Sequence, residues 1–221
     1  MSVRGIYQAQ QRINLVWFKQ PNKSRSSLKY KMTNNLNHSY LIALGGNLPS
    51  VAGDPSDTLS AALLALSEAG ATQIVSSRFF KTPCFPEGAG PDYVNAAVSL
   101  CFAGGAVKLL RVLHEIEGKF GRERVERWGR RTLDLDMIAA GDQVLPDAET
   151  HARWRALPAA QQALRAPDQL ILPHPRLQDR AFVLIPLAEV APDWFHPLLG
   201  LTVTQMVQNL SESARNEVVC L

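Results

Sequence analysis

Polar and apolar residues alternate along positions 132–137, which read Thr132-Leu133-Asp134-Leu135-Asp136-Met137. Successive side chains of a β-strand point to opposite faces of a sheet. As a strand, this stretch places its leucines and its methionine on one face and both aspartates on the other. The pattern therefore predicts a half-buried strand with two carboxylates on its open face, their Cα atoms about 6.5–7 Å apart.

The sequence before this strand shows five more elements. They are a strand at 40–44, a helix at 54–70, strands at 72–80 and 93–102, and a helix at 105–118. The first strand ends at Gly45-Gly46-Asn47, which is typical of a turn. The second helix has apolar positions three apart, namely Val107, Leu110, Leu113 and Ile116.

This order of strand, helix, strand, strand, helix, strand predicts an α+β fold. It is the order of the ferredoxin-like, or split βαβ, arrangement, in which an antiparallel sheet carries helices on one face. The other face is then expected to stay free for a ligand. C-terminal helices are predicted at 182–190, broken by Pro186, and around 203–210, followed by a polar tail.

The composition suits one globular domain with appended sequence, since the chain has 221 residues of which 46% are hydrophobic. We predict a basic, disordered extension at 1–38 and a single domain at 39–221. A surface insertion is predicted at about 147–169, with a short helix at 159–164. The extension has no acidic residue, which also loosely fits an organellar transit peptide; an upstream start codon, with Met32 as the working start, is a further interpretation.

Charge and cysteine content exclude several classes of protein. A net charge of +3 is too small to indicate nucleic-acid binding by itself. Three widely spaced cysteines without a CxxC pair indicate neither a disulfide framework nor a zinc site. No apolar run approaches the roughly 20 residues of a membrane span. We therefore expect a soluble, cytoplasmic protein, with organellar targeting as the alternative.

The two aspartates of the predicted strand have the spacing of a metal site. Mg²⁺ prefers oxygen ligands and usually takes one or two protein carboxylates. An Asp-x-Asp pair alone is weak evidence, because exposed aspartates on a strand are common. The preceding loop strengthens it, since guanidinium groups pair with phosphate oxygens and this loop carries Arg122, Arg124, Arg127, Arg130 and Arg131. The combination predicts a triphosphate site without a P-loop.

The stretch Arg127-Trp128-Gly129-Arg130-Arg131-Thr132-Leu133-Asp134-Leu135-Asp136 closely resembles the RWGPRTLDLD signature of the 6-hydroxymethyl-7,8-dihydropterin pyrophosphokinases (HPPK). Further segments agree in order, namely 44–48, 91–98, 172–176 and 180–182. The resemblance spans about 40–210 without the insertion. It implies a magnesium-dependent enzyme that transfers the diphosphate of ATP to the pterin alcohol, giving AMP, in folate biosynthesis.

The resemblance also implies roles for individual residues. Asp134 and Asp136 would coordinate two Mg²⁺ ions. Contacts to ATP would come from Glu117, Arg122, Trp128, Arg131, His174 and Arg180, of which Arg122 and Arg131 would be catalytic together with the aspartates. The pterin would lie among Thr82, Pro83, Cys84, Phe85, Tyr93, Asn95, Trp128 and Phe182, with Tyr93 and Phe182 stacking on the ring and Asn95 bonding its edge.

Simpler structural interpretations stand beside these roles. Tyr93 and Phe182 could be core residues, His174 between prolines could be a turn residue, and Glu117 could lie exposed on the last turn of a helix. Cys84 and Arg130 replace prolines that are usual in the family, which concerns loop geometry.

Two other functions fit parts of the pattern. An RNA-binding module would use the same fold and arginine loop, but it needs exposed aromatic residues on its central strands. A metabolite sensor would bind nucleotide without turnover. We expect the enzyme instead, acting as a monomer on small molecules, without nucleic-acid or membrane partners.

Overall fold

A computed structural model of the protein describes residues 39–84, 90–121, 132–158, 161 and 167–221. The predicted extension at 1–38, the arginine-rich loop at 122–131 and most of the predicted helix at 159–164 lie outside these residues. Within the described part of the chain, no helix is long and apolar enough to cross a bilayer.

The described residues form one antiparallel sheet and helices packed on it. The strands are β1 (Ser39–Gly46), β2 (Thr72–Ser76), β3 (Phe80–Thr82), β4 (Tyr93–Cys101), β5 (Asp134–Ala140) and β6 (Val219–Cys220). Their order is β5-β1-β4-β3-β6, and β2 also pairs with β4. The helices are α1 (Pro55–Glu68), α2 (Gly105–Lys119), α3 (Ala148–Ala156), α4 (Ala181–Val190), α5 (Val203–Asn209) and α6 (Glu212–Asn216).

Helices α1 and α2 cover one face of the sheet. Helix α1 begins where predicted, because the Asp54 side chain accepts the Asp57 N–H and Pro55 occupies the first turn. The strand side chains beneath these helices include Leu133, Leu135 and Met137, all buried, as the alternation at 132–137 predicted. Leu109 is buried on α2, whereas Val107 is exposed, so the predicted apolar face of this helix is partly wrong.

Helices α4 and α5 cover part of the opposite face. They pack on Leu41 of β1, Ala97 of β4, and Ile138 and Ala139 of β5. The prediction that this whole face stays free is therefore wrong. Helix α4 also continues through Pro186, which was predicted to break it. Among the described residues, no helix covers the end of this face where β5 begins and β1 ends, which we call the open end of the sheet.

Three local predictions need correction. The predicted strand at 72–80 consists of β2 and β3, separated by 77–79. The predicted polar tail instead forms α6 and then β6, which pairs with the edge of β3. The predicted surface insertion contains α3 at Ala148–Ala156, and His151 of this helix is fully buried.

Candidate functional site

The open end of the sheet carries a row of residues from four neighbouring strands. Gly45 of β1 pairs with Asp134 on one side and with Asn95 on the other, and Asn95 pairs with Phe80 of β3. Directly paired residues of antiparallel strands point to the same side of the sheet. Asp134 and Asn95 therefore face the same space, with Gly45 between them.

The next row is similar, because Ala43 pairs with both Asp136 and Ala97. Both aspartates thus project from the same face of β5, as the alternation predicted. Each is only partly buried. Their partners on β1, Ala43 and Gly45, have no side-chain atoms beyond Cβ.

Gly45 allows the close approach of Asn95. A Cβ atom on Gly45 would lie 2.9 Å from Asn95 Oδ1. The Asn95 Nδ2 donates to Thr82 Oγ1 at 2.8 Å, which fixes the side chain against β3. The sequence interpretation missed Gly45, because it placed this residue in a turn; a Gly-Gly pair after an apolar run was the available signal.

The described ends of the loop between β3 and β4 lie beside Asn47. Asn47 Nδ2 donates to Pro91 O at 3.2 Å, and a Cβ on Gly90 would lie 3.5 Å from the same nitrogen and 3.7 Å from Cys84 Sγ. Tyr93 begins β4 next to this contact and is partly exposed. Asn47 thus ties the end of β1 to the loop that carries several predicted pterin residues.

Arg180 and Phe182 adjoin the aspartate pair from the start of α4. Arg180 Nη1 lies 3.9 Å from Asp136 Oδ2, and the Arg180 guanidinium carbon lies 5.7 Å from the centroid of the Phe182 ring. Phe182 is 40% exposed, whereas its neighbours Ala181 and Val183 on α4 are buried. The interpretation of Phe182 as a core residue is therefore wrong.

His174 is held next to β5 by its backbone. Its N–H donates to Ile138 O at 2.8 Å, and its ring Nδ1 accepts from the Arg176 N–H at 3.1 Å. Burial, with the positive charges of Arg180 and Arg176, lowers the pKa of His174 to about 3, although Asp134 acts in the opposite direction. The imidazole is therefore neutral at pH 7 with its proton on Nε2, which makes Nε2–H a hydrogen-bond donor.

Glu117, near the end of α2, contacts the backbone of β5. It is 2% exposed, and its Oε1 accepts from the Leu135 N–H at 2.8 Å. The interpretation of Glu117 as an exposed residue of the last helical turn is wrong. The structure brings it to the backbone between the two aspartates.

Four predicted site residues, Phe85, Arg122, Trp128 and Arg131, lie outside the described residues. Pro83 is exposed at the start of the same loop as Cys84. The other predicted positions, Thr82, Cys84, Tyr93, Asn95, Asp134, Asp136, His174, Arg180 and Phe182, belong to the open end of the sheet or to the segments that border it.

The donor set suits a hard cation. Among the described residues, no group of three or more His, Cys, Asp or Glu side chains could hold a metal ion by itself. Two carboxylates on one face of a strand fit Mg²⁺, which takes few protein ligands and fills its coordination shell with water and phosphate oxygens.

Comparisons with known proteins agree on one family. Residues 41–192 match the family model described as 7,8-dihydro-6-hydroxymethylpterin-pyrophosphokinase (HPPK). The chain is 36% identical over 180 residues to the 2-amino-4-hydroxy-6-hydroxymethyldihydropteridine pyrophosphokinase of Synechocystis sp., covering 80% of this chain and 78% of that protein. It is 33% identical over 172 residues to the protein of the same name from Haemophilus influenzae, covering 77% and 92%.

Solved structures show the same fold. A crystal structure of HPPK-DHPS in complex with substrates superposes with a TM-score of 0.55 at 12% identity, covering 82% of this chain and 44% of that one. The wild-type Plasmodium falciparum HPPK-DHPS with SDX-DHP gives 0.52 at 14% identity, covering 77% and 43%. The chain therefore spans less than half the length of these solved chains.

Proposed function

Because this chain belongs to the HPPK family, we propose that the open end of its sheet is the active site. The reaction transfers the diphosphate of ATP to the hydroxymethyl group of 6-hydroxymethyl-7,8-dihydropterin and yields AMP, a step of folate biosynthesis. This activity decides against the RNA-binding and metabolite-sensor alternatives. The main support for putting the active site here is that Asp134, Gly45 and Asn95 lie in one row on the same face of the sheet.

Asp134 and Asp136 would hold the metal, with two Mg²⁺ ions in this proposal. Their partial exposure and shared face support it, since both carboxylates can reach ions that also contact phosphates. Bound Mg²⁺ would neutralise phosphate charge and polarise the attacking hydroxyl group. Arg180, 3.9 Å from Asp136, places a further positive charge beside this position.

The nucleotide would lie along β5 and the segment before α4. His174 would donate from Nε2–H, and the Arg180 guanidinium would pair with phosphate oxygens. A neutral histidine suits this role because it keeps a directed donor without adding charge. Arg122, Trp128 and Arg131 stay predicted contacts of the nucleotide. Glu117 stays predicted at the nucleotide side.

The pterin would lie on the β3 and β4 side of the metal. A flat bicyclic ring suits stacking between aromatic side chains, which we assign to Tyr93 and Phe182. The exposure of Phe182 supports this assignment. Asn95, held by Thr82, would bond the polar edge of the ring, and 82–85 would offer loop backbone.

The chain's part in the reaction would be positioning and charge stabilisation. The pterin hydroxyl oxygen attacks the β-phosphorus of ATP in line, and AMP leaves. Asn95 and the aromatic residues would orient the pterin, while Arg180 would stabilise the charge that develops on the phosphates; Arg122 and Arg131 stay predicted for the same role. We assign no side chain as a general base.

We further infer that the core has the ferredoxin-like, split βαβ arrangement. The order β5-β1-β4 followed by β2 and β3, with each pair antiparallel, supports it. So do helices α1 and α2, which connect the strands across one face. That the enzyme acts as a monomer stays a prediction.

Removal of the Asp136 carboxylate tests the proposed site. With ATP, Mg²⁺ and the dihydropterin, Asp136→Ala should lower the rate of AMP formation by about 10²-fold or more, the scale of losing a group that stabilises transition-state charge. Asp142→Ala is the matched control, because Asp142 is an exposed aspartate just after β5. Near-normal AMP formation by Asp136→Ala would contradict the proposal.

A further inference from the structure

One residue of the predicted insertion, His151, belongs to a buried polar cluster. His151 of α3 and His196, in the segment between α4 and α5, are each 0% exposed, and their ring centroids lie 6.1 Å apart. The Trp194 ring lies 5.6 Å from that of His196. Buried imidazoles need hydrogen-bond partners, so their contacts indicate what they hold in place.

His151 bonds to the segment that carries His174. Its Nε2 lies 2.8 Å from Pro173 O. A carbonyl oxygen can only accept, so Nε2 carries the proton and donates it. Pro173 is the residue immediately before His174, to which we assign a nucleotide contact.

Surrounding groups keep His151 neutral with its proton on Nε2. Burial, and then the charge of Arg155, lowers the pKa of His151, although the bond to Pro173 acts in the opposite direction. The His196 Nδ1 accepts from the N–H groups of Leu198 and Leu199, both at 3.2 Å, so its own proton is on Nε2. The His196 Nε2–H is therefore a donor and the His151 Nδ1 an acceptor, but among the described residues neither of these two buried atoms has a hydrogen-bond partner.

The same tautomers argue against a metal between the rings. A metal would need a lone pair from each imidazole, yet His196 uses its own to accept the two backbone N–H groups. The Arg155 charge nearby also disfavours a cation. The cluster is therefore better suited to holding backbone than to binding an ion.

The segment at 172–174 is held from three directions. Leu172 exchanges two backbone hydrogen bonds with Leu145, at 2.8 and 3.1 Å, and the His174 N–H bonds to Ile138 of β5. His151 supplies the third contact, from α3. Without it, the Pro173 carbonyl loses a buried donor and the segment loses its restraint on the α3 side.

We propose that His151 is a positioning residue for catalysis, which holds the Pro173–His174 backbone against β5 so that the His174 ring meets the nucleotide. The proposal rests on the nucleotide role proposed for His174. It gives the predicted insertion a function, because α3 carries the residue that restrains the site segment. The substrate most affected is ATP, since the pterin residues lie on β3, β4 and α4.

Three substitutions separate positioning from general stability. His151→Phe keeps a ring but removes the donor; His151→Asn shortens the side chain so that its amide falls short of Pro173 O; and His151→Gln retains an N–H near the position of Nε2. We expect Phe and Asn to raise the KM for ATP about tenfold, with the KM for the pterin changed less than about twofold, because only one net hydrogen bond is lost. Gln should restore most of the ATP affinity.

Two further variants complete the experiment. Leu66→Ala, at a buried position of α1, should lower the unfolding temperature without changing either KM. His174→Ala should raise the KM for ATP by itself. If His174→Ala does so while the soluble variants at 151 keep the wild-type KM, the inference is wrong and the proposed site stands. If His174→Ala has no effect, the nucleotide role of His174 fails and the inference fails with it.

Discussion

Gly45 separates two functional side chains on the open end of the sheet, Asp134 on one side and Asn95 on the other. Its missing side chain lets the Asn95 amide lie over β1 while Nδ2 bonds to Thr82. The distance available for a Cβ, 2.9 Å from Asn95 Oδ1, is shorter than ordinary van der Waals contact. Gly45 therefore determines where the Asn95 amide, the proposed edge partner of the pterin, can lie.

Gly45→Ala should displace Asn95 and break its bond to Thr82. We expect the KM for the pterin to rise about tenfold, the effect of losing roughly 1.4 kcal/mol of binding energy, with a smaller effect on the KM for ATP. Steady-state kinetics with each substrate varied in turn would measure both constants. Gly118→Ala is the matched control, because a Cβ there meets nothing within 4 Å on α2 and should stabilise the helix by about 0.5–1 kcal/mol. An unchanged pterin KM in Gly45→Ala would contradict this role.

The residues that were predicted correctly depend on local patterns. The alternation at 132–137 predicted the face of Asp134 and Asp136, because a strand repeats every two residues. The family resemblance assigned roles to Asn95 and Phe182, and these roles stay predictions. The role of Gly45 depends on its alignment with Asn95 and Asp134, which are about 50 and 89 positions away along the chain. No local pattern contains that register.

At the scale of elements, α2 and β5 are joined by a side chain. Among the strands that the structure describes, β5 lies at one end of the order, so its outer backbone groups pair with no described strand. Glu117 of α2 supplies an acceptor to the Leu135 N–H there. This bond orients the residue between the two aspartates.

Glu117→Leu should leave the buried Leu135 N–H without this acceptor. We expect it to lower the free energy of unfolding by about 1–3 kcal/mol, the cost of an unsatisfied buried donor, and to raise the Mg²⁺ concentration needed for half-maximal activity. Glu117→Gln retains an acceptor oxygen and should lose less of both. Urea unfolding and Mg²⁺ titration of AMP formation are the measurements. Equal defects in Gln and Leu would show that the carboxylate charge, rather than the bond to Leu135, is what matters.

Helices and strands were predicted best where a regular repeat of apolar residues marks the buried face. In α2, residues spaced three apart drift around the helix by about 60° per step, because the α-helix has 3.6 residues per turn. Val107 therefore lies outside the buried stripe that contains Leu109, Leu113 and Ile116. Pro186 was predicted to break α4, yet the packing of Leu184 and Leu187 on the sheet keeps the helix continuous.

At the scale of the molecule, the sheet lies between two unequal layers. Helices α1 and α2 cover one face, and α4 and α5 cover only part of the other. The order of elements predicted the first layer, because those helices connect consecutive strands. The C-terminal helices could join either face, so their position depends on tertiary packing. Their placement leaves the aspartate end open.

Buried neutral histidines should make the whole domain sensitive to acid. Burial, followed by the repulsion that a protonated His151 and Arg155 exert on a second positive charge, lowers the pKa of His196 to about 4 from its ordinary 6.5, and the pKa of His151 is lowered as well. Above pH 6.5 these rings are neutral in both states and their titration leaves stability unchanged. As the pH falls from 6.5 towards 4, these histidines bind protons in the unfolded chain but not in the folded chain, so the free energy of unfolding decreases. His196 alone would account for about 3 kcal/mol by pH 4, at about 1.36 kcal/mol per pKa unit.

Urea unfolding at several pH values between 7 and 4 would measure this loss, with His196→Asn as the comparison. Asn offers an acceptor near the position of Nδ1 for the Leu198 and Leu199 N–H groups but does not titrate. The variant should be less stable at pH 7, because it loses ring contacts with Trp194 and His151. Its free energy of unfolding should nevertheless fall less steeply as the pH decreases, because unfolding of the variant takes up about one proton fewer. Parallel pH profiles for the two proteins would mean that His196 protonates as readily in the folded chain as in the unfolded one, and that its burial does not oppose charge.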